Sequence, residues 1–248
     1  MKLTTRLIWL FVAILFSCRT PLVPRSGEQK FYTVQSITQE DSVSEIAQYL
    51  RPFRDSVQQE MNIILGLATE NFVKEKPSGS LCNLVSDAMF WAALRKENTV
   101  SAAISNYGGL RLPQLAKGEI RLGTIFELLP FENELVLIEV PGNILIQWSS
   151  LIIQSEGWPI SHMSILSNQD KIITQVSNSN TLEEIKDEKK YWIATNDYVA
   201  NGGDNCSFLK DLPRIETKIL VREALIQYLK DKKNITPDKQ ARIKIYKP

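Results

Sequence analysis

The sequence predicts a mixed α+β domain, and three observations carry that expectation. Apolar residues recur at helical spacing in several stretches, short apolar runs of strand length lie between them, and the two do not alternate in the regular βαβ order of a doubly wound sheet. No internal repeat or low-complexity block interrupts the pattern.

The elements follow in order. Ser42 with Glu45 three residues on forms a capping box. Val43, Ile46, Ala47, Leu50, Phe53, Val57, Met61, Ile64 and Leu65 then recur at helical spacing, predicting a long helix with one buried face that Pro52 kinks or splits. A second helix starts near Ser80, with Leu81, Leu84, Val85, Ala88, Met89 and Ala92 on its apolar side. Asp87 falls among them and needs a partner if buried. Val100–Ser105 reads as a buried strand, Gly118–Arg121 as a turn with a strand edge, and Leu135–Val140 as a second buried strand. Gly142 opens a helix through Ile144, Leu145, Trp148 and Leu151. Short strands fill the stretch from Trp158 to Val176, and Tyr191–Thr195 is a further strand. A helix at Leu220–Leu229 and a strand at Ile243–Tyr246 close the chain.

Two glycine loops stand out, each following an expected buried strand: Asn106-Tyr107-Gly108-Gly109-Leu110-Arg111 and Asn201-Gly202-Gly203-Asp204. Adjacent glycines let a ligand approach the main chain closely, and loops at strand ends are where binding groups tend to sit. The amide of Asn106, the forked cation of Arg111 and the carboxylate of Asp204 surround them, with the aromatics Phe131 and Tyr198 nearby. Such a set suits a nucleoside or nucleotide. The same glycine pairs also describe plain tight turns.

Composition excludes several classes. The net charge is +1, so no electrostatic argument supports a DNA or RNA duplex as partner. His162 is the single histidine, too few for the common two-metal hydrolase centre or an H-E-x-x-H site. No G-x-S-x-G elbow accompanies it, so His162 reads as a loop or core residue. Cys82 and Cys206 either pair or remain buried thiols; no C-x-x-C spacing is present.

At the N-terminus, Lys2 and Arg6 precede an apolar run from Leu7 to Phe16. That run is shorter than the roughly 20 residues a spanning helix needs and fits a signal-peptide core. Leu15-Phe16-Ser17-Cys18 resembles a bacterial lipoprotein signal, which implies lipidation at Cys18. The expected organisation is a signal at 1–17, a tether at 18–40 and a domain at 41–248, held in the bacterial cell envelope at the periplasmic face or outer membrane.

Four segments come in an order with matching spacing. They are Cys82-Asn83-Leu84-Val85-Ser86-Asp87-Ala88, Asn106 to Arg111, Leu129-Pro130-Phe131-Glu132-Asn133, and Thr195 to Asp204. Together they resemble the C-terminal domain of bacterial and animal 5′-nucleotidases from about residue 40 onward, with Ile235-Thr236-Pro237 and Arg242-Ile243 similar to that family's close. The resemblance implies that Phe131 and Tyr198 sandwich a base. It gives Asn106, the Gly109 backbone and Arg111 the base or nucleotide side, Asp204 the ribose hydroxyls, and Asp87 a structural role.

There are departures from the family's pattern. Lys76-Pro77-Ser78-Gly79 stands where an acidic residue and often an arginine precede the helix motif, so Lys76 would have to substitute for that cation. Cys82, His162 and Asn205 occupy glycine positions, and Tyr198 replaces a phenylalanine. The family's metal motifs are not found in this sequence. The expectation is therefore a nucleotide- or nucleoside-recognition subunit of a split 5′-nucleotidase-type phosphohydrolase, not active alone. It holds no cofactor in this chain, and divalent metals belong to a separate metallophosphatase partner. The alternatives are a non-enzymatic nucleotide-binding lipoprotein or a structural remnant.

Overall fold

The computed structural model describes residues 45–97, 99–168, 172–178 and 181–246. The signal segment, Cys18, the tether and the capping residue Ser42 lie outside the described residues. From Leu50 onward the chain forms one compact unit.

The described elements begin with α1 (Glu45–Met61), β1 (Ile64–Ala68), β2 (Phe72–Val73), α2 (Ser80–Leu94) and β3 (Val100–Ile104). Then come β4 (Gln114–Leu115), β5 (Gly118–Arg121), α3 (Leu122–Leu128), β6 (Glu134–Pro141) and α4 (Gly142–Gln154). A strand-rich stretch follows with β7 (Ile160–Ser161), β8 (Met163–Ser167), β9 (Ile172–Asn178), β10 (Thr181–Glu184) and β11 (Lys190–Asn196). The chain closes with α5 (Asp197–Ala200), β12 (Arg214–Leu220), α6 (Val221–Lys232), β13 (Asn234–Ile235) and β14 (Ile243–Ile245).

A five-stranded sheet of order β12-β6-β11-β3-β7 forms the centre. Its strands alternate faces with period two, as strand geometry requires. Leu135, Leu137, Ala103 and Ala194 join one core with Leu84, Val85 and Ala88 of α2 and Leu225 and Leu229 of α6. Val136, Ile138, Val140, Ala102 and Ile193 join the other core with Leu145, Trp148 and Ile152 of α4 and with Ile165 and Val176. Burial on both faces explains why Leu135–Val140 reads as an almost unbroken apolar run rather than an alternating one. Smaller sheets of order β10-β9-β8-β14 and β13-β1-β5 flank it.

The described structure differs from the sequence expectation at α1. The helix ends at Met61, and Ile64 and Leu65 belong to β1, where pairing with β5 captures them. Pro52 does not split it; α1 runs on as one element through that residue. Nor is its apolar face buried: Leu50, Phe53 and Val57 are 51%, 60% and 56% exposed. From Leu50 onward, no described residue of α1 belongs to either core. Periodicity identifies a helix and its apolar face; it does not by itself decide how deeply that face is buried.

Asp87 does have its partner. Arg242 reaches it from the chain's end as a two-pronged pair, Nη1 to Oδ1 at 2.6 Å and Nη2 to Oδ2 at 2.8 Å. Nη1 also donates to Ile160 O and Nη2 to Asp238 Oδ2. Desolvation would lower the Arg242 pKa, but the bonds to Asp87 and Asp238 outweigh it and hold the pKa above its ordinary value. Cys82 and Cys206 are buried free thiols, pushed up by burial to about 11 and about 12. Asp87→Ala leaves the largely covered guanidinium with only Asp238 and the Ile160 carbonyl, and losing hydrogen bonds to such a charged group costs about 1.5–3 kcal/mol. Urea unfolding of the variant is expected to show that loss as a lower midpoint with unchanged slope.

Candidate functional site

Strand pairing brings the two glycine loops together. β3 and β11 are parallel neighbours, with Ala102 beside Ile193 and Ala103 beside Ala194, so the chain leaves both strands at the same end of the sheet. β6 runs antiparallel to β11 with Leu135 opposite Asn196, so the turn that enters β6 sits at that end too. Loops separated by about ninety residues in sequence thus meet at one place.

There they enclose a cleft of about 340 Å³ lined by Asn106, Gly108, Gly109, Arg111, Phe131, Asn133, Tyr198 and Asp204. Every residue expected there from sequence lies on this surface. The volume falls in the range of small-molecule sites. Phe131 and Tyr198 are large aromatics left 44% and 46% exposed, which leaves ring surface for contact. The Arg111 guanidinium lies 5.1 Å from the Phe131 ring centroid, a cation–π approach.

Asp204 is the hub of the polar side. Asn106 Nδ2 donates to its Oδ2 at 2.7 Å, and the Tyr198 hydroxyl donates to its Oδ1 at 3.0 Å. Each carboxylate oxygen offers two lone pairs, so acceptor capacity remains on both. The hydrogen bond to Asp204, and then its negative charge, raise the Tyr198 pKa above the ordinary phenol value.

The loop backbone needs its glycines at two positions. Gly202 takes φ +91°, in the left-handed region. At Gly203 a Cβ would sit 2.5 Å from the Tyr198 ring carbons, so only glycine lets the ring lie against the main chain. Asp204 follows with φ 49° and ψ 43°, a left-handed setting that Asp and Asn tolerate better than most residues.

Supporting residues not legible as site residues hold this surface. Asn196 caps α5 through Val199 N to its Oδ1 at 2.8 Å. Its Nδ2 donates to Asn106 Oδ1 at 3.0 Å and to Ser105 Oγ at 3.3 Å, so one buried amide couples both loops. A strand followed by Asn and a short helix is the cap signal that could have found it. Arg222 of α6 donates to Phe131 O at 3.3 Å and lies 4.5 Å from the Phe126 ring, fixing the turn that carries Phe131. Nothing in the local sequence marks it. Asn133 and Gly108 complete the lining.

Lys76 does not take up the role of the missing cation at the cleft. Its Nζ donates to Ser155 O at 2.7 Å, 5.0 Å from the Tyr107 ring, and it is not among the lining residues. Lys74 lies closer to that ring, at 4.0 Å, and donates to Leu110 O at 2.7 Å. Burial lowers its pKa.

This fold and surface define a class. The model of the 5′-nucleotidase C-terminal domain matches residues 64–211, and the chain belongs to that family. It is 23% identical over 237 residues to the 5′-nucleotidase-related protein of Glossina morsitans morsitans, covering 84% of this chain and 42% of that one. Among solved structures, the 5′-nucleotidase precursor from Thermus thermophilus superposes with a TM-score of 0.72 at 24% identity, over 81% of this chain and 43% of that one. The NAD nucleotidase of Haemophilus influenzae gives 0.65 at 17% identity, over 83% and 42%. These likenesses show the fold, and this chain spans under half the length of each protein.

Replacing Asp204 by Asn removes the charge that raises Tyr198. A tyrosine-labelled NMR titration is expected to show the Tyr198 phenol ionising at higher pH in the parent than in Asp204→Asn. The same midpoint in both would contradict the hydrogen-bond arrangement.

Proposed function

We propose that this domain recognises a nucleotide or nucleoside as part of a 5′-nucleotidase-type phosphohydrolase, with metal-dependent hydrolysis supplied by a separate metallophosphatase chain. The observation that carries this reading is the convergence of Phe131, Tyr198, Arg111 and Asp204 on one cleft. A base stacks on the aromatic faces, a contact that tolerates different bases. The free lone pairs of Asp204 accept from the ribose hydroxyls, and Arg111 meets the base or its phosphate side. Asn106 gives one amide N–H to Asp204 and its oxygen to Asn196, so it aims the carboxylate and has one N–H left for ligand.

Among the described residues no group of three His, Cys, Asp or Glu side chains is placed to hold an ion. In this reading the divalent metals and the activated water come from the partner. Lipidation at Cys18 belongs to the same proposal, placing the domain in the cell envelope, at the periplasmic face or on the outer membrane.

Calorimetric titration with AMP, adenosine and UDP-glucose tests the recognition step. Phe131→Ala and Tyr198→Ala are each expected to weaken binding by about 1–3 kcal/mol, roughly five- to 150-fold. Binding indifferent to both changes would reject this cleft as the site. The split arrangement has its own test: the domain mixed with a candidate metallophosphatase and divalent metal should hydrolyse AMP faster than the metallophosphatase alone. Equal rates would leave a binding protein without a catalytic partner.

A further inference from the structure

A second and larger cavity, about 630 Å³, shares no lining residue with the glycine-loop cleft. α2 contributes Asp87, Phe90, Trp91 and Leu94 to it, α6 contributes Tyr228 and Lys232, and His162 and Arg242 add polar groups. Aromatic rings form part of the wall, with the Lys232 amine beside them.

His162 is held there against its backbone preference. Its φ of 56° lies in the left-handed region, which is unfavourable for a residue with a Cβ and persists when the surroundings hold it there. Two contacts do so. The imidazole stacks on Phe90 with centroids 3.5 Å apart and planes 16° from parallel. Its Nδ1 lies 2.8 Å from Ser161 Oγ.

That second contact determines the tautomer. The carboxylate of Asp87 is paired with Arg242, and Ser161 Oγ donates its only proton to Asp87 Oδ1. Ser161 Oγ is therefore the acceptor from His162, and Nδ1 carries the hydrogen. Although the ring keeps an exposed face, partial desolvation lowers the His162 pKa; Asp87 opposes the change and Arg242 adds to it, which favours the neutral ring. Nε2 is then left with a lone pair and no partner among the described residues. Arg242, by contrast, spends both terminal nitrogens on Asp87, Asp238 and Ile160 O.

We propose that this cavity is a second ligand site, for a small planar heteroaromatic molecule whose N–H donates to His162 Nε2 and whose acidic group meets Lys232. The ring lies against the aromatic wall of Trp91 and Tyr228. The Asp87–Ser161–His162 chain supplies a fixed acceptor, so no tautomer has to change on binding.

Because His162 is the single histidine of the sequence, its ring resonances report on this cavity alone. The test is an NMR titration of the full chain with indole carboxylate at millimolar concentration. It is repeated with the N-methyl analogue, which lacks the donor, and in the presence of excess AMP. The expected result is a saturable shift of the imidazole signals that AMP does not abolish. The N-methyl analogue should bind about tenfold more weakly, the worth of one hydrogen bond. Calorimetry of His162→Gly should show a similar tenfold loss, and glycine accepts the φ at this position without strain. Unmoved histidine signals, displacement by AMP, or equal affinity for the N-methyl analogue would overturn the proposal. The wild-type titration decides the matter even if the glycine variant does not fold.

Discussion

The parallel pairing of β3 with β11 is the constraint on which the rest of this molecule depends. Parallel neighbours end on the same side of a sheet, so a loop leaving one is delivered beside a loop leaving the other. The antiparallel approach of β6 brings a third segment to the same edge. Two apolar cores, one on each face of the sheet, clamp this register, because a slip of one residue would move each strand's apolar set to the wrong face. The glycine-loop surface is therefore a consequence of how the centre packs, and its precision derives from strands that are almost wholly buried.

Above that edge, polar groups finish the positioning. Asn196 ties the first glycine loop to the second, Asn106 and Tyr198 hold Asp204, and Arg222 pins the turn bearing Phe131. Two of these bonds, Asn106 to Asp204 and Arg222 to Phe131, join a well-covered residue to a more exposed one. Such an arrangement leaves the exposed member oriented but still able to contact a ligand. On the other side of α2, the Asp87–Arg242 pair performs a comparable task for the chain's end and, through Ser161, for the one histidine.

Much of this was readable from residue order. The strands at Val100, Leu135 and Tyr191, the helices at Ser80, Gly142 and Leu220, and the mixed α+β class all follow from apolar period and length. The residues lining the cleft stood out because glycine pairs, exposed aromatics and a few polar groups recur in one order with one spacing. Asn196 and Arg222 did not stand out. Asn196 reads as an ordinary cap, and Arg222 as one basic residue in an amphipathic helix whose guanidinium could have faced solvent. The apolar face of α1 was the opposite case, where a clear local pattern stays largely exposed in the described structure.

By itself the sequence determined the local conformations and the chemistry on offer: which segments bury apolar surface, which loops tolerate close approach, and which side chains can stack, accept or donate. Tertiary structure alone decided which of those groups meet. Asp87 needed a partner by elementary electrostatics, but that the partner is Arg242, 155 positions away, follows from the route of the chain. His162 was one residue among many until the fold stacked it on Phe90 and oriented it through Ser161. Local propensity acts over a few residues, whereas contacts between distant residues are selected by the packing of whole elements, and that selection is not written in any single stretch of the chain.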